Sequence, residues 1–144
     1  MPKREWDRAF AYFKKKMTSS RQAIMEVFEE EKKHLSAEEV YDSLKGKNQK
    51  VGIATVYRNL DLLTQMGILH RVYFGDGLEH YEITRKPIHH HHLVCNKCGL
   101  VIDYSELIEE SEFISKLEQE LNTRYNFKIE SHQMYFYGLC EKCR

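Results

Sequence analysis

The strongest constraint on the fold of this chain is a set of four cysteines arranged as two Cys-x-x-Cys pairs. The pairs are Cys95 with Cys98 and Cys140 with Cys143, and 41 residues lie between Cys98 and Cys140. Thiolates are soft ligands, and four of them in a tetrahedral array suit Zn²⁺. A site built from both pairs requires the fold to return the end of the chain to the first pair, so structural zinc would contribute directly to folding.

Two other uses of these thiols stay open at this level: a pair of redox dithiols, or four buried free thiols. Gly99 directly follows Cys98 and tolerates the positive φ of a tight metal-binding turn. The charged first residues are unlike a signal peptide, and no apolar run approaches the roughly 20 residues of a membrane span. We therefore expect a cytoplasmic protein without a membrane partner, in a reducing compartment that favours metal over disulfides.

Length and charge predict two small parts with different tasks. The 144 residues suit one average domain or two small ones. Net charge is zero, but residues 1–87 contain 16 Lys/Arg and 13 Asp/Glu, whereas residues 88–144 contain 6 and 9. A basic first half and an acidic second half indicate division of labour, although random asymmetry of a solvated surface is the alternative.

The first half has the pattern of a winged helix. Apolar spacing predicts helices over 4–17, 18–30, from 36 onward, and 52–66, with strands over 69–74 and 78–83. Thr18 can cap the second helix, and Ser36 with Glu39 forms a capping box for the third. The alternative to a winged helix is a helical bundle with a surface hairpin. In the fourth helix Ile53, Val56, Leu60 and Leu63 are expected to face inward, and the opposite side presents Thr55, Arg58 and Asn59, with Tyr57 at the border.

The second half predicts an α+β unit after a short hinge at 84–87. Strands are expected over 89–94, 100–104 and 127–137, with a helix over 105–121. The aromatic run Tyr135, Phe136 and Tyr137 would suit a dimer interface, with core packing as the alternative for each ring. The predicted domains are thus 1–84, for DNA binding, and 85–144, for dimerisation and metal binding.

Four consecutive histidines at 89–92 predict two metal sites. Side chains alternate faces along a strand, so His90 and His92 point one way while His89 and His91 point the other. Glu110 falls on the apolar side of the predicted helix, and a carboxylate there is costly unless it is paired or bound to metal. The alternative for Glu110 is an exposed helix edge. Further donors lie near element ends, namely His34, Glu82, Asp103 and His132, and each alone is more often a surface or satisfied polar residue. A His/carboxylate mixture suits Fe²⁺, Mn²⁺ or Zn²⁺.

At these residues the sequence resembles the ferric uptake regulator (Fur) family, over roughly residues 16–143. The resemblance is carried by several motifs in the same order: Thr18 and Arg21, His34-Leu35-Ser36-Ala37-Glu38, Ala54-Thr55-Val56-Tyr57-Arg58-Asn59-Leu60, Tyr81-Glu82, the four histidines, Cys95-x-x-Cys98-Gly99, and His132 through Tyr137-Gly138-x-Cys140-x-x-Cys143. It implies a homodimeric, metal-dependent repressor that binds a palindromic, AT-rich DNA operator.

The resemblance also implies a role for each candidate ligand. It assigns structural zinc to the four cysteines, and a regulatory metal to His34, Glu82, His90 and His92, with Asp103 as a further ligand. An additional site would use His89, His91, Glu110 and His132. For DNA it implies Tyr57 and Arg58 in the major groove, beside Thr55, and Lys16 near the minor groove.

Departures from the family pattern favour iron as the regulatory metal, with manganese or zinc as alternative ions. The alternative function within the family is a regulator that senses peroxide, zinc, manganese or nickel. Peroxide sensors of the family carry an aspartate where this chain has Glu82, and zinc sensors often add a cysteine that this chain lacks. The resemblance predicts that the chain is not an enzyme. Two functions of other classes remain: a His/carboxylate metalloenzyme, for which no nucleophile or base is apparent, and a zinc-stabilised protein-interaction module.

Overall fold

A computed structural model describes residues 5–31, 34–84, 90–105 and 107–144. The chain divides into two compact units, Met1–Thr84 and Arg85–Arg144, termed unit 1 and unit 2. Helices and antiparallel strands make unit 1, and a helix with a mixed sheet makes unit 2. The predicted α+β class is therefore confirmed.

Unit 1 is a helical cluster closed by a small sheet. Its elements are α1 (Glu5–Tyr12), α2 (Ser19–Glu31), β1 (Leu35–Ser36), α3 (Ala37–Gly46), α4 (Ile53–Gln65), β2 (Leu69–Tyr73) and β3 (Glu79–Ile83). The strands pair antiparallel in the order β1-β3-β2. Helices followed by a hairpin in one sheet give the predicted winged-helix arrangement.

The core of unit 1 is continuous and apolar. Ile24 of α2, Val40 of α3 and Leu60 of α4 are fully buried in one cluster. Helix α3 begins where predicted, because the Ser36 side chain accepts from the Glu39 backbone N–H and the Glu39 carboxylate accepts from the Ser36 N–H. Capping and burial thus agree on where this helix starts and which face it buries.

The hairpin of unit 1 turns at Asp76. The flanking residues Gly75 and Gly77 adopt φ values of 77° and 78°, which glycine tolerates without strain. The register of β2 and β3 is symmetric about Asp76, so that His70 lies opposite Glu82. This register places the side chains of His70 and Glu82 next to each other on neighbouring strands.

Three details of unit 1 differ from the prediction. Helix α1 ends at Tyr12 rather than at 17, because Lys14 adopts a left-handed φ of 52°, and Phe13 is 42% exposed. Ile53 was expected inward but is 38% exposed, since it is the first residue of α4. Asn59 was expected outward but is only 8% exposed, because its amide bonds to the Thr55 carbonyl and to Arg21.

The described residues of unit 2 form four elements: β4 (His90–Cys95), β5 (Val101–Ser105), α5 (Ile108–Tyr125) and β6 (Tyr135–Gly138). Strand β4 lies in the centre of the sheet, antiparallel to β5 and parallel to β6. The histidine-bearing strand is therefore flanked on both sides. This central position fixes the direction of each of its described side chains.

The predicted boundaries of unit 2 were wrong at α5 and β6. The helix begins three residues later than predicted, at Ile108, and continues to Tyr125, where Asn126 ends it with a left-handed φ of 49°. Strand β6 covers Tyr135–Gly138 only, not 127–137. Leu107 lies outside the helix, and Leu107 and Leu117 are exposed rather than inward, so α5 buries little beyond Ile114. Among the described residues, no helix has the length and apolarity needed to span a bilayer.

Candidate metal centres

The first cysteine pair forms a tight knuckle at the end of β4. Cys95 is the last residue of the strand, and its backbone N–H donates to the Leu100 carbonyl at 2.8 Å. The Gly99 N–H returns to the Cys95 carbonyl at 3.0 Å, with Gly99 at φ 75°. The turn predicted at Gly99 is therefore present, and it brings Cys98 back beside Cys95.

The second pair reaches the knuckle through β6. Cys95 lies opposite Gly138 in the parallel β4–β6 ladder, and the Asn96 N–H donates to the Gly138 carbonyl at 2.8 Å. The Cys140 N–H then points at Cys95 Sγ, 3.4 Å away. The chain end thus returns to the first pair, as a shared site requires.

The four thiols fit a tetrahedral zinc site. Their sulfur atoms all lie within 4.8 Å of one another, none forms a disulfide, and Cys98 Sγ is 3.7 Å from Cys140 Sγ. With Zn–S bonds of about 2.3 Å, the edge of a regular tetrahedron is about 3.8 Å. The cluster therefore has the dimensions and the donor chemistry of structural zinc.

The pKa values of these thiols depend on the neighbouring N–H groups and on the other sulfur atoms of the cluster. Backbone N–H groups of Cys98 and Cys140 lower the pKa of the Cys95 thiol to about 6. In contrast, the hydrogen bond with Cys140 and partial burial raise the pKa of Cys143 to about 12. The thiolate form of Cys95 is thus favoured, whereas the thiolate form of Cys143 is strongly disfavoured unless a cation compensates the negative charge of the neighbouring sulfur atoms.

A second cluster of donors lies against the face of β4 that carries His91. His91 is fully buried, its Nε2 is 3.7 Å from Glu110 Oε1, and its ring centroid is 5.4 Å from that of His132. The structure therefore brings together three of the four residues predicted for the additional site. The fourth, His89, lies outside the described residues. The Met134 N–H donates to His91 Nδ1 at 3.2 Å, so a neutral His91 ring carries its hydrogen on Nε2.

Glu110 is positioned by neighbours rather than by a buried helix face. Tyr104 Oη donates to Oε1 at 2.8 Å, and the Leu107 N–H donates to Oε2 at 3.1 Å. Sequence reasoning missed Glu118, whose Oε1 accepts from His132 Nδ1 at 2.8 Å. The signal was present, because Glu110, Ile114 and Glu118 recur at intervals of four on one side of α5.

The opposite face of β4 carries His90 and His92. Their ring centroids are 5.1 Å apart, and His92 Nδ1 is 3.0 Å from Asp103 Oδ1 on the neighbouring β5. His92 is fully buried and stacks on Tyr135 of β6. Unit 2 therefore groups His90, His92 and Asp103, the residues predicted to bind the regulatory metal from this half of the chain.

Unit 1 groups its own predicted ligands around Glu82. His34 Nε2 lies 2.7 Å from Glu82 Oε2, and His70 Nε2 lies 2.5 Å from Oε1. Burial alone would raise the pKa of Glu82, but the hydrogen bonds from these two histidines outweigh it and hold the pKa well below its usual range. Sequence reasoning missed His70, although symmetry of the hairpin about Asp76 pairs it with Glu82.

The residues predicted to contact DNA lie on the exposed side of α4 and before α2. Tyr57 and Arg58 are exposed, and Arg58 donates to Thr55 Oγ1 at 3.1 Å. Tyr57 Oη donates to Glu38, which lowers the pKa of Glu38 and raises that of Tyr57. Lys16 is exposed as well, and its carbonyl accepts from Arg21, whose Nε also donates to the buried Asn59.

Comparisons with known proteins agree with this fold. The model of the ferric uptake regulator family matches residues 14–137. The ferric uptake regulation protein of Bacillus subtilis is 38% identical over 131 residues, covering 89% of this chain and 85% of its own. The solved Vibrio cholerae ferric uptake regulator, described as revealing a structural rearrangement of the DNA-binding domains, is 36% identical, with a TM-score of 0.72 over 93% of this chain and 98% of that one.

A further solved structure, the ferric uptake regulator of Francisella tularensis with iron, is 28% identical, with a TM-score of 0.72 over 89% of this chain and 93% of its own. Proteins of this family are dimeric, DNA-binding transcription regulators, so the predictions of the family and of a non-enzymatic function are confirmed. The chain belongs to the ferric uptake regulator family of metal-dependent transcriptional regulators.

Proposed function

We propose that the chain is an iron-responsive repressor whose regulatory ion is held by ligands from both units. The ligands are His34 and Glu82 of unit 1, and His90, His92 and Asp103 of unit 2. The observation that carries this proposal is that each unit gathers its own share of these donors: His34 contacts Glu82 at 2.7 Å, and His92 contacts Asp103 at 3.0 Å beside His90.

Ligands from both units would make the angle between the units depend on metal occupancy. The two recognition helices of a dimer must match the spacing of two half-sites on the duplex. Metal binding would therefore favour the DNA-binding arrangement, and DNA must reciprocally tighten metal binding. Imidazole and carboxylate donors suit Fe²⁺, with Mn²⁺ and Zn²⁺ as alternatives. The Francisella tularensis relative solved with iron supports iron as the first choice.

Structural zinc on Cys95, Cys98, Cys140 and Cys143 is the second part of the proposal. The sulfur separations and the four soft donors favour a bound Zn²⁺ at this cluster. The additional site of His89, His91, Glu110 and His132 is the third part. It is supported by the contacts among its three described members.

Operator binding is assigned to unit 1 and dimerisation to unit 2. Thr55, Tyr57 and Arg58 on α4 would contact the major groove, and Lys16 the minor groove, of a palindromic, AT-rich operator. Unit 2 exposes apolar side chains across its sheet, including the cross-strand row of Ile102, Leu93 and Phe136. A second copy of the chain would cover them. We place the protein in the cytoplasm, where its operator lies.

The experiment is an operator-binding titration with purified dimer carrying its structural zinc. Fluorescence anisotropy of a labelled AT-rich palindromic duplex is measured with and without Fe²⁺ under anaerobic conditions, and with Mn²⁺. The double variant His90→Ala/His92→Ala is expected to lose metal-stimulated binding while retaining zinc and the dimer. His80→Gln is the control, because His80 bonds Asp76 at the hairpin turn and is no proposed ligand. Full metal stimulation of the double variant would overturn the proposal.

A further inference from the structure

Glu82 has a second histidine partner for which the proposed metal site has no role. His70 on β2 lies directly opposite Glu82 on β3, and its Nε2 is 2.5 Å from Oε1. The other ring nitrogen, Nδ1, is 3.2 Å from Thr84 Oγ1. Thr84 is held in turn by its backbone N–H, which donates to the Ile68 carbonyl at 2.9 Å. A connected row therefore runs from Thr84 through His70 to Glu82.

The hydrogen positions in this row follow from the donor inventory. An ionised carboxylate only accepts, so the Nε2 of His70 must carry the hydrogen that it shares with Glu82. A neutral ring then has a lone pair on Nδ1, which accepts the hydroxyl hydrogen of Thr84. Glu82 thus requires hydrogen on Nε2 of His70, and the Thr84 hydroxyl supports the same tautomer at Nδ1.

The two oxygens of Glu82 are consequently assigned to different neighbours. Oε1 is directed to His70, whereas Oε2 is 2.7 Å from His34, which is a proposed ligand of the regulatory metal. Glu82 is buried, so its carboxylate cannot turn freely into solvent. Carboxylates that ligate metals are oriented by such outer partners, and loss of an outer partner costs metal affinity.

We propose that His70, supported by Thr84, is a positioning residue of the regulatory site: it holds Oε1 of Glu82, so that the carboxylate presents Oε2 alone, on the side of His34. The inference rests on the proposed function in one respect, namely that Glu82 is a ligand. His70 does not touch the ion. It determines how many oxygens Glu82 contributes, and through this the coordination number that the site favours.

The test is a Co²⁺ titration of the zinc-loaded dimer, followed by the visible d–d absorption of the bound ion. His70→Ala is expected to lower Co²⁺ affinity by about 10-fold. It is also expected to weaken the absorption per bound ion, since Glu82 then binds through both oxygens and the coordination number rises by one. His70→Gln keeps an N–H donor of similar reach and restores both properties. Thr84→Val gives an intermediate loss, and the control His80→Gln leaves both unchanged.

A metal-free readout tests the row directly. Nitrogen NMR of the His70 ring should show hydrogen on Nε2 in the zinc-loaded protein without Co²⁺, and Thr84→Val should shift the Nδ1 resonance, because it removes the hydrogen bond at Nδ1, while the hydrogen on Nε2 stays. Thermal melting of each variant reports whether unit 1 remains folded. If His70→Ala unfolds unit 1, Thr84→Val and His70→Gln carry the test, because neither changes side-chain size greatly.

The outcomes separate this inference from the proposed function. If Glu82→Gln abolishes Co²⁺ binding but His70→Ala binds with wild-type affinity and spectrum, only the positioning role is overturned. If His70→Gln fails to restore what His70→Ala loses, His70 is a direct ligand and the inference is again wrong. If Glu82→Gln itself binds Co²⁺ normally, the proposed regulatory site fails, whatever His70 does.

Discussion

The two units of this chain bury their apolar residues to very different extents. In the described part of unit 1 the core joins all seven helices and strands through a continuous set of buried side chains, such as Ile24, Val40 and Leu60. In the described part of unit 2 the buried apolar residues are Val94, Cys95 and Ile114, whereas its sheet and α5 expose large apolar side chains. Unit 1 is stabilised from within, whereas under the proposed function unit 2 depends on what binds to it: zinc at the four cysteines and a second copy over its apolar face.

Removal of a proposed zinc ligand is expected to give the largest effect. It should destabilise unit 2 and leave unit 1 folded. Cys140→Ser should release the β6 segment from β4 and unfold unit 2, because structural zinc contributes on the order of 10 kcal/mol to folding of small domains. Hydrogen exchange measured along the chain should show lost protection in unit 2 and retained protection in α2, α3 and α4. Equal loss of protection in both units would contradict the separation.

A truncation in the core of unit 1 is expected to destabilise unit 1 rather than unit 2. Leu60→Ala should lower the free energy of unfolding of unit 1 by about 2–5 kcal/mol, because Leu60 is fully buried. Denaturant unfolding at several protein concentrations measures the change. Leu117→Ala in α5 is the comparison, since Leu117 is 39% exposed within its own chain. Its effect should depend on protein concentration, whereas that of Leu60→Ala should not.

A charge on the apolar face of unit 2 is expected to weaken the dimer. Phe136→Asp should cost about 2 kcal/mol or more of association free energy, if Phe136 lies near the centre of the interface. Tyr73→Asp is the matched control, because both side chains are 53% exposed but Tyr73 lies in unit 1. Sedimentation equilibrium reports the dissociation constant. A stronger effect of Tyr73→Asp than of Phe136→Asp would indicate that unit 1 forms the dimer interface and would contradict the proposal.

Glu82→Gln is expected to give a smaller, pH-dependent loss in unit 1. Two histidines hold the pKa of Glu82 below its usual range, so the ionised carboxylate stabilises the metal-free fold. At neutral pH the loss should be about 2 kcal/mol, typical of hydrogen bonds to a charged group. This stabilisation is complete above the unfolded carboxylate pKa of about 4.3 and disappears as pH falls toward the depressed folded value. The free energies of unfolding of the unsubstituted chain and of Glu82→Gln should therefore converge between pH 7 and pH 3. A difference between them that grows on acidification would contradict this prediction.

The smallest expected effect is at the start of α3. Ser36→Ala removes the side-chain acceptor of the capping box and should cost about 1 kcal/mol. The loss should appear in unfolding of unit 1 and leave zinc content and the dimer unchanged. Ser43→Ala offers a control in the same helix, because its hydroxyl bonds Glu31 at the surface rather than a backbone N–H.

Sequence patterns predicted the features that depend on short-range rules. The capping box at Ser36, the turn at Gly99 and the two strands predicted over 69–74 and 78–83 each follow from residue types at fixed spacing. Alternation along β4 likewise predicted that His90 and His92 share one face and that His91 lies on the other, whereas the grouping of His91 with His132 was implied by the family resemblance. How these groups bind metal remains a prediction.

The errors arose where the environment of a residue depends on distant parts of the chain. The expected apolar face of α5 assumed a core within one chain, but Leu117 is exposed there, and Glu110 is oriented by Tyr104 instead. Asn59 has the polarity of a surface residue, yet Arg21, 38 positions earlier, gives it a buried partner. Neither partner can be identified from helical periodicity.

The parallel pairing of Cys95 with Gly138 has a consequence for metal discrimination. Since the period of a strand is two, a slip of β4 by one residue would exchange the surroundings of His91 and His92. The cysteine cluster lies at the end of this same strand, so the proposed zinc would also fix the register of β4. Under the proposed function, zinc loss would then change which imidazoles face which ion, and impaired iron sensing would be an early consequence.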